Sequence, residues 1–328
     1  MIRRSRFITA CLVALSAGAA AQGVEHSALQ PPPHTQPWPS IGSGEGKSAQ
    51  AASLQLGPEM QRGISPQEVL RERRLLDAEL DGIAAQRPGT VDAYVVTVAL
   101  DSDPVFAREA REARRVLSRR YGANGRAITL AGPDGVTGDI RPKGSISALM
   151  YTLARLSEVM DPQEDVLVLY STSHGIPQGL TYHYGDSGYG ILSPQYFRDA
   201  LTELGLQKRL LILSACFSGT FVPYLAGPDT AILTAAAFNR TSFGCEAEND
   251  WTYFGDAMIN RALRKPHGLV LAAREASSDI AKWEGNKNLT PSLPQTLIGA
   301  SAKEWLAVLE AQIPQDTTRP VGRPAVGE

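Results

Sequence analysis

The chain has 328 residues, of which 43% are hydrophobic and 20% are charged, and its formal net charge at pH 7 is −2. That length suits one large domain or two small ones, and a single core is the simpler expectation. The nearly neutral charge lacks the basic footprint of nucleic-acid-binding proteins, so we expect no nucleic-acid partner.

The N-terminus has the three parts of a secretory signal peptide: a basic start, an apolar stretch over residues 7–17 and the small residues of 19–21. We predict that residues 1–21 form a signal peptide that is cleaved after Ala21. The apolar stretch is shorter than the ~20 residues that a spanning helix needs, so we expect no stable membrane insertion after cleavage. The sequence therefore predicts an exported protein, either periplasmic or extracellular.

A leader over residues 22–64 contains three consecutive prolines and is otherwise rich in Gly, Ser and Ala. We predict that it is disordered, because it has too few large apolar residues to offset the entropy lost on ordering. Ser65-Pro66-Gln67-Glu68 then combines a capping box with proline at the first helical position, which predicts a helix over residues 65–87.

Strand and helix patterns alternate after the first helix. The predicted strands are rich in Val, Ile and Leu and cover residues 94–100, 127–130, 165–172, 210–214 and 230–235. The predicted helices cover residues 104–121, 145–160, 194–205, 253–265 and 302–312. Apolar strands without period-two alternation are typical of sheets covered on both faces, so the sequence predicts an α/β fold with a mostly parallel sheet and helices on both faces. The proline-rich tail, 313–328, is predicted to be flexible.

Two of the predicted strands end in reactive side chains. One is followed by His174 and Gly175, and another ends at Ser214 and is followed by Ala215 and Cys216. Reactive residues of open parallel sheets gather at the carboxyl ends of the strands, so neighbouring strands would bring the imidazole and the thiol into one cleft. His174 would then act as the base and Cys216 as the nucleophile, with the amides of Gly175 and Cys216 as an oxyanion hole.

Each of these residue types also has a plainer interpretation. A lone histidine after a strand is more often a hydrogen-bonding residue, and a lone cysteine is more often a small buried hydrophobe. A second His-Gly pair, His267-Gly268, follows a helix and a proline, so we predict a structural role for His267. His183 and Asp186 are too few ligands for a metal site, and we expect no metal and no organic cofactor.

The same stretches resemble the legumain-like (C13) family of cysteine peptidases, in the clan that also contains caspases and gingipains. The resemblance rests on the strand ending in His-Gly at 174–175, the strand ending in Ala-Cys at 215–216, and RTSFGCEAENDWTYFGD at 240–256. It covers roughly residues 90–300. It implies a caspase-like α/β fold and thiol-dependent cleavage of peptide bonds, with transpeptidation or transamidation in some members.

The resemblance also implies a substrate pocket for asparagine or aspartate. Arg108, Ser242 and Asp256 match the arginine, the serine and the closing aspartate of that pocket. Ser214 stands where the family has an acidic residue, two positions before the catalytic cysteine. The loss of this acidic group is expected to weaken the recognition of an amide donor.

An asparagine near the end of the first strand orients the catalytic histidine in the family, but this sequence has Asp101-Ser102-Asp103 there. Either aspartate could hold the imidazole and favour a thiolate–imidazolium pair. Cys245 matches a cysteine of the family segment. We expect it to be a free thiol, because a disulfide with Cys216 would abolish the nucleophile.

The sequence thus predicts a C13 peptidase domain over residues 65–312, with its core at 90–300, that attacks peptide or protein substrates and forms a thioester at Cys216. Two alternatives stay open. A transamidase or peptide ligase results if an amine resolves the thioester. A non-catalytic peptide-binding protein could keep the fold without turnover.

Overall fold

The computed structural model describes residues 30–39, 45–56 and 59–327, so the predicted signal peptide lies outside the described residues. The α-helices are α1 (Gly46–Leu56), α2 (Pro66–Asp81), α3 (Pro104–Arg120), α4 (Ile146–Val159), α5 (Pro194–Glu203), α6 (Val222–Leu225), α7 (Leu269–Asn286) and α8 (Ala302–Glu310). The strands are β1 (Glu59–Gln61), β2 (Ala93–Ala99), β3 (Ala127–Leu130), β4 (Val166–Thr172), β5 (Gly175–Ile176), β6 (Gly179–Tyr184), β7 (Gly188–Leu192), β8 (Arg209–Ser214), β9 (Thr230–Thr234) and β10 (Gln295–Ile298).

The central sheet has six strands in the order β10-β9-β8-β4-β2-β3. The five strands from β9 to β3 run parallel, and only β10 is antiparallel to its neighbour. A second, antiparallel sheet has the order β1-β7-β6-β5. β5 and β6 follow directly from the end of β4, so the small sheet extends from the edge where the central parallel strands end.

The central strands are buried on both faces. Along β2, Tyr94 and Val96 belong to an apolar core shared with α2, α4 and α5, whereas Val95 belongs to a core shared with α3, α7 and α8. Because helices cover both faces, every strand position must be apolar or internally hydrogen-bonded, which explains the continuous apolar runs in the sequence. The predicted α/β fold, with a mostly parallel sheet and helices on both faces, is confirmed.

Serine side chains begin several helices, as the sequence predicts. Ser65 accepts a hydrogen bond from the backbone N–H of Glu68 at 3.1 Å, and Ser145 accepts one from Ala148 at 3.0 Å. These bonds satisfy amides that have no partner within the helix.

Several helices differ from the prediction. The predicted helix over residues 253–265 is a π-helix over Gly255–Arg261 followed by a 3₁₀ helix over Ala262–Arg264. α2 ends at Asp81 with Gly82 as its cap, several residues before the predicted end at 87. The sequence analysis did not identify α7, although Leu269, Ala272, Ala276 and Ile280 recur at helical spacing on its buried face. In residues 30–39, 45–56 and 59–327, no helix is both long enough and apolar enough to cross a membrane.

The structure corrects the expectation of a disordered leader for the described part of residues 22–64. α1 forms there, and β1 pairs with β7 through Glu59 opposite Gly190 and Gln61 opposite Gly188. Glu59 also accepts a hydrogen bond from the backbone N–H of Ser147 at 2.7 Å. Backbone pairing orders this segment without the large apolar side chains that its composition lacks.

The predicted flexible tail is also packed against the domain. The carbonyl of Val321 accepts hydrogen bonds from Trp251 Nε1 at 2.8 Å and Asn260 Nδ2 at 3.0 Å. The backbone N–H of Ala325 donates to Asp256 Oδ2 at 3.0 Å. Side chains of the domain therefore satisfy the backbone of a segment that has no helix or strand of its own.

Glu109 of α3 lies at the centre of a cluster of buried polar groups beneath the sheet edge. Its side chain is fully buried and accepts hydrogen bonds from the Tyr170 hydroxyl, Thr172 Oγ1 at 2.7 Å and the Thr252 N–H at 3.0 Å. A Cβ at Gly255 would lie 2.0 Å from Glu109 Oε2, so this approach requires glycine. The carboxylate therefore joins α3 to β4 and to the segment that follows β9.

We predict that Glu109→Gln lowers the free energy of unfolding by about 1–3 kcal/mol, because an amide NH₂ then faces donors and leaves buried groups unsatisfied. Urea unfolding measures the change. The matched control is Glu158→Gln at the exposed end of α4, where the side chain is 66% exposed, and we expect a change within about 0.5 kcal/mol. Equal unfolding midpoints for the two variants would contradict the role assigned to Glu109.

Candidate active site

The register of β4 and β8 brings His174 and Cys216 to the same sheet edge. Thr172 pairs with Ser214 in the parallel ladder, so each of the two reactive residues lies two positions beyond the last paired residue. The backbone N–H of Ser173 donates to the Ser214 carbonyl at 3.2 Å and extends the ladder. Both side chains therefore leave the sheet at adjacent points, as the sequence predicts.

Gly175 allows the two strand ends to touch. A Cβ at this position would lie 2.0 Å from the Cys216 carbonyl oxygen and 3.1 Å from the Cβ of Ala215. No side chain fits at such distances without displacing the backbone. The glycine that follows His174 is thus required by a close approach to the turn that carries Cys216.

Cys216 lies at the start of a strained turn. The next residue, Phe217, has a φ of 56°, in the left-handed region that non-glycine residues rarely adopt. Its N–H donates to the Arg240 carbonyl at 2.8 Å, which holds this conformation. Cys216 is partly exposed, and its sulfur accepts a hydrogen bond from the Ser242 N–H at 3.2 Å, with the Ser242 hydroxyl at 3.6 Å.

These surroundings lower the pKa of Cys216. The largest effect comes from the adjacent Cys245 thiol, which donates toward the sulfur, whereas burial alone would raise the pKa. The hydroxyl and amide of Ser242 and the charge of His174 stabilise the thiolate further. The same hydrogen bond and burial raise the pKa of Cys245 well above its ordinary value, so Cys245 keeps its proton. Both cysteines are free thiols, as the sequence analysis expects.

His174 faces Asp103 across the cleft. The Nε2 atom lies 3.6 Å from Asp103 Oδ2, and the ring of Phe106 packs edge-on against the imidazole at a centroid distance of 5.1 Å. Burial alone would lower the pKa of His174, but the interaction with Asp103 and the charges of Asp101 and Cys216 outweigh it and raise the pKa. The side chain is still 44% exposed, so a substrate can reach it.

A thiol with a lowered pKa beside an imidazole with a raised pKa favours the thiolate–imidazolium pair at neutral pH. The thiolate of Cys216 is a nucleophile, and the imidazolium of His174 can donate a proton to a leaving group. The arrangement can therefore support acyl transfer.

Asp101, the other predicted orienting residue, faces away from His174. Its Oδ1 atom lies 2.8 Å from His34 Nε2, and its Oδ2 atom lies 4.0 Å from His183 Nδ1. It affects His174 through its charge alone. Within the described ranges, His34, Asp101 and His183 form the cluster of side chains that could hold a metal ion.

The predicted substrate-binding residues lie in different surroundings. Ser242 contacts the sulfur of Cys216 directly. Ser214 is buried, and its hydroxyl lies 3.2 Å from Thr252 Oγ1, inside the domain. Ser242 therefore lies beside the sulfur of Cys216, whereas Ser214 lies inside the domain at the end of β8.

Arg108 and Asp256 are both engaged by other groups. Arg108 is exposed, and its Nη2 atom donates to the Ala247 carbonyl at 3.0 Å. Asp256 is fully buried, and its carboxylate accepts hydrogen bonds from Asn260 Nδ2 at 2.8 Å and the Ala325 N–H at 3.0 Å. The structure therefore differs from the pocket assignment of Asp256, because the packed tail covers this carboxylate.

The sequence analysis did not single out Phe106 or the contact between the two thiols. Phe106 lies three residues after Asp103, a spacing that places both side chains on one face at the start of α3. That spacing could have identified Phe106 from the sequence. The approach of Cys245 to Cys216 depends on how the whole segment after β9 folds back, which no local pattern shows.

A comparison with known protein families agrees with the predicted resemblance. Residues 144–289 match the Peptidase C13 family, and this range includes both His174 and Cys216. The crystal structure of caspase-1 from Spodoptera frugiperda is similar at 12% sequence identity and a TM-score of 0.42, over 65% of this chain and 93% of that chain. Among curated proteins, none matches the sequence. The match of residues 144–289 confirms the predicted resemblance to the legumain-like (C13) family and supports a function of the cysteine-peptidase type.

We predict that Asp103→Asn lowers the pKa of His174. In the folded protein, the pKa of His174 lies above its ordinary value partly because of the Asp103 carboxylate. When that charge is removed, the imidazolium should lose its proton at lower pH. NMR titration of the His174 ring measures the shift.

The control for this variant is Asp199→Asn, which removes an exposed carboxylate paired with Arg198 on α5. We expect it to leave the His174 titration unchanged. An unchanged His174 titration in Asp103→Asn would contradict the assignment of Asp103 as the residue that holds the imidazole.

Proposed function

From the match of residues 144–289 to the Peptidase C13 family, we propose that the protein is an exported cysteine peptidase with a Cys216–His174 dyad. Its substrates are peptides or proteins. The observation that carries the proposal is the paired register of β4 and β8, which brings an ionisable thiol and an imidazole to one sheet edge.

In the proposed acylation step, the Cys216 thiolate attacks the carbonyl carbon of the scissile peptide bond. The S–C bond forms, and the amides of Gly175 and Cys216 stabilise the oxyanion. The imidazolium of His174 then donates its proton to the amine as the C–N bond breaks. The close approach of Gly175 to the Cys216 carbonyl brings the backbones of these two residues together, which supports a shared oxyanion hole.

Deacylation reverses these roles. The neutral imidazole of His174 takes a proton from water, and the resulting hydroxide attacks the thioester carbonyl. The C–S bond breaks, the acid product leaves, and the thiolate–imidazolium pair is restored. Asp103 acts as a positioning residue in both steps, because it contacts the imidazole and not the substrate.

The proposed side-chain preference is for aspartate ahead of asparagine before the scissile bond. Arg108 offers only hydrogen-bond donors, which suit the acceptor oxygens of a carboxylate. A substrate carboxylate would have to compete with the Ala247 carbonyl at 3.0 Å and with Asp250 at 3.8 Å for this guanidinium. The acidic group that would accept from an asparagine amide is replaced by the buried Ser214, and Asp256 is already hydrogen-bonded. Ser242 beside the sulfur can bond either side chain.

Export is proposed from the sequence pattern of residues 1–21, which is that of a secretory signal peptide. The mature protein would then act in the periplasm or outside the cell.

A labelling assay on the mature protein tests the proposal. Acyl-type thiol probes carry Asp, Asn, Arg or Leu next to the reactive group. Wild-type protein should be labelled at Cys216, fastest by the Asp probe, and Cys216→Ala should not be labelled. We expect His174→Ala to slow labelling by about 100-fold or more, since it removes the general acid–base group. Equal labelling of Cys216→Ala would contradict the nucleophile assignment.

His267→Ala is the matched control, because His267 also precedes a glycine but lies at the start of α7, with Nε2 3.6 Å from Glu275 Oε2. Its labelling should equal that of the wild type. Product analysis with an added amine then separates the two enzyme reactions: a free acid product supports the peptidase, and an amide product supports a transamidase. Labelling without turnover of any peptide would support a binding protein instead.

A further inference from the structure

The leader segment, residues 30–39, docks against the small sheet beside the active site. Asp186, in the turn between β6 and β7, accepts hydrogen bonds from the backbone N–H groups of Thr35 at 2.7 Å and Gln36 at 2.8 Å. These bonds hold two successive backbone amides, those of Thr35 and Gln36, in place. They place the side chain of His34 against the end of β2 and against β6.

The contacts of His34 fix the roles of its two ring nitrogens. Nδ1 lies 3.2 Å from the Gly185 carbonyl, which can only accept, so Nδ1 carries a hydrogen. Nε2 points at Asp101 Oδ1 at 2.8 Å. A neutral imidazole would direct a lone pair at a carboxylate, so a positive charge must lie between these two atoms.

A proton on His34 satisfies only part of this cluster. The Asp101 side chain is fully buried, and its Oδ2 atom has no hydrogen-bond partner in the described part of the chain. The Nε2 atom of His183 is also buried without one, and its Nδ1 lies 4.0 Å from Asp101 Oδ2. Each unsatisfied buried polar atom costs roughly 1–3 kcal/mol. A cation with several coordination positions could bind the free Asp101 oxygen and one ring nitrogen of His183 together.

The backbone holds the three side chains in register. The N–H of Ser102 donates to the His183 carbonyl at 2.9 Å, and the N–H of His183 donates to the Leu100 carbonyl at 2.8 Å. Asp101 is therefore fixed opposite His183. The ring of His34 stacks on that of His183 with centroids 3.4 Å apart and an interplanar angle of 10°.

We propose that His34, Asp101 and His183 bind a divalent transition-metal ion of the zinc type. Their ligand atoms all lie within 4.8 Å of one another. Both rings would have to rotate out of their parallel stack to reach the ~2.0–2.2 Å distances of zinc coordination. Two imidazoles and a carboxylate are a ligand set that zinc accepts, and the Gly185 carbonyl is the outer partner typical of a metal-bound histidine.

The sequence expectation of no metal rested on His183 and Asp186 alone. The fold replaces that pair with three residues from the leader segment, the end of β2 and β6. A bound ion would fasten the leader segment to the domain two residues from Asp103, the residue that holds His174. The ion would not touch Cys216 or the scissile bond.

Metal binding by tag-free protein tests the proposal. The experiment uses Cys216→Ala protein, so that the reactive thiolate does not bind the metal, and measures Zn²⁺ by equilibrium dialysis with elemental analysis. We expect one Zn²⁺ per chain. We expect the affinity to fall by about 100-fold or more when His34→Ala or His183→Ala is added, because each removes a direct ligand. His267→Ala in the same background should bind as before.

Thermal unfolding with and without a chelator provides the second readout. Zn²⁺ should raise the melting temperature of the Cys216→Ala protein and of its His267→Ala derivative, but not that of its His34→Ala derivative. His34 lies in a surface segment, so the fold of this variant can be verified in chelator. Absence of Zn²⁺ binding, or an affinity unchanged by His34→Ala, would overturn the proposal and leave a proton between His34 and Asp101.

Discussion

Thr172 of β4 pairs with Ser214 of β8, and this parallel register determines where the chemistry of the molecule lies. A shift of one residue would turn every side chain of β8 to the opposite face, so the register is fixed by the two apolar cores that the strand serves. This register also sets the positions of His174 and Cys216. Gly175 completes the contact, because only a residue without a Cβ fits against the Cys216 carbonyl.

Charge and hydrogen bonding shift the pKa values of the two reactive groups in opposite directions. Donors around the sulfur, from Cys245 and Ser242, lower the pKa of Cys216, whereas Asp103 helps to raise the pKa of His174. These opposite shifts favour the ionised pair. The groups that shift these two pKa values come from separate segments of the chain. The site therefore depends on the packing of the whole sheet edge rather than on one motif.

The sequence predicted what depends on local patterns. Continuous apolar runs identified β4 and β8, and the residues that follow them identified His174 and Cys216. Long-range contacts could not be predicted in this way. The leader segment and the tail have few large apolar residues, and backbone hydrogen bonds to Asp186 and Asn260 help to hold them in place. The same limit explains Asp256, whose pocket role was inferred without knowing that Ala325 covers it.

The ionised pair of Cys216 and His174 is most directly tested by following thiolate formation through its ultraviolet absorbance as the pH rises. The difference between wild-type and Cys216→Ala protein isolates this one thiol. The structure predicts that the thiolate forms well below the ordinary cysteine pKa of about 8.5, and that His174→Ala moves its formation to higher pH. An ordinary titration of Cys216, unchanged by His174→Ala, would contradict the account.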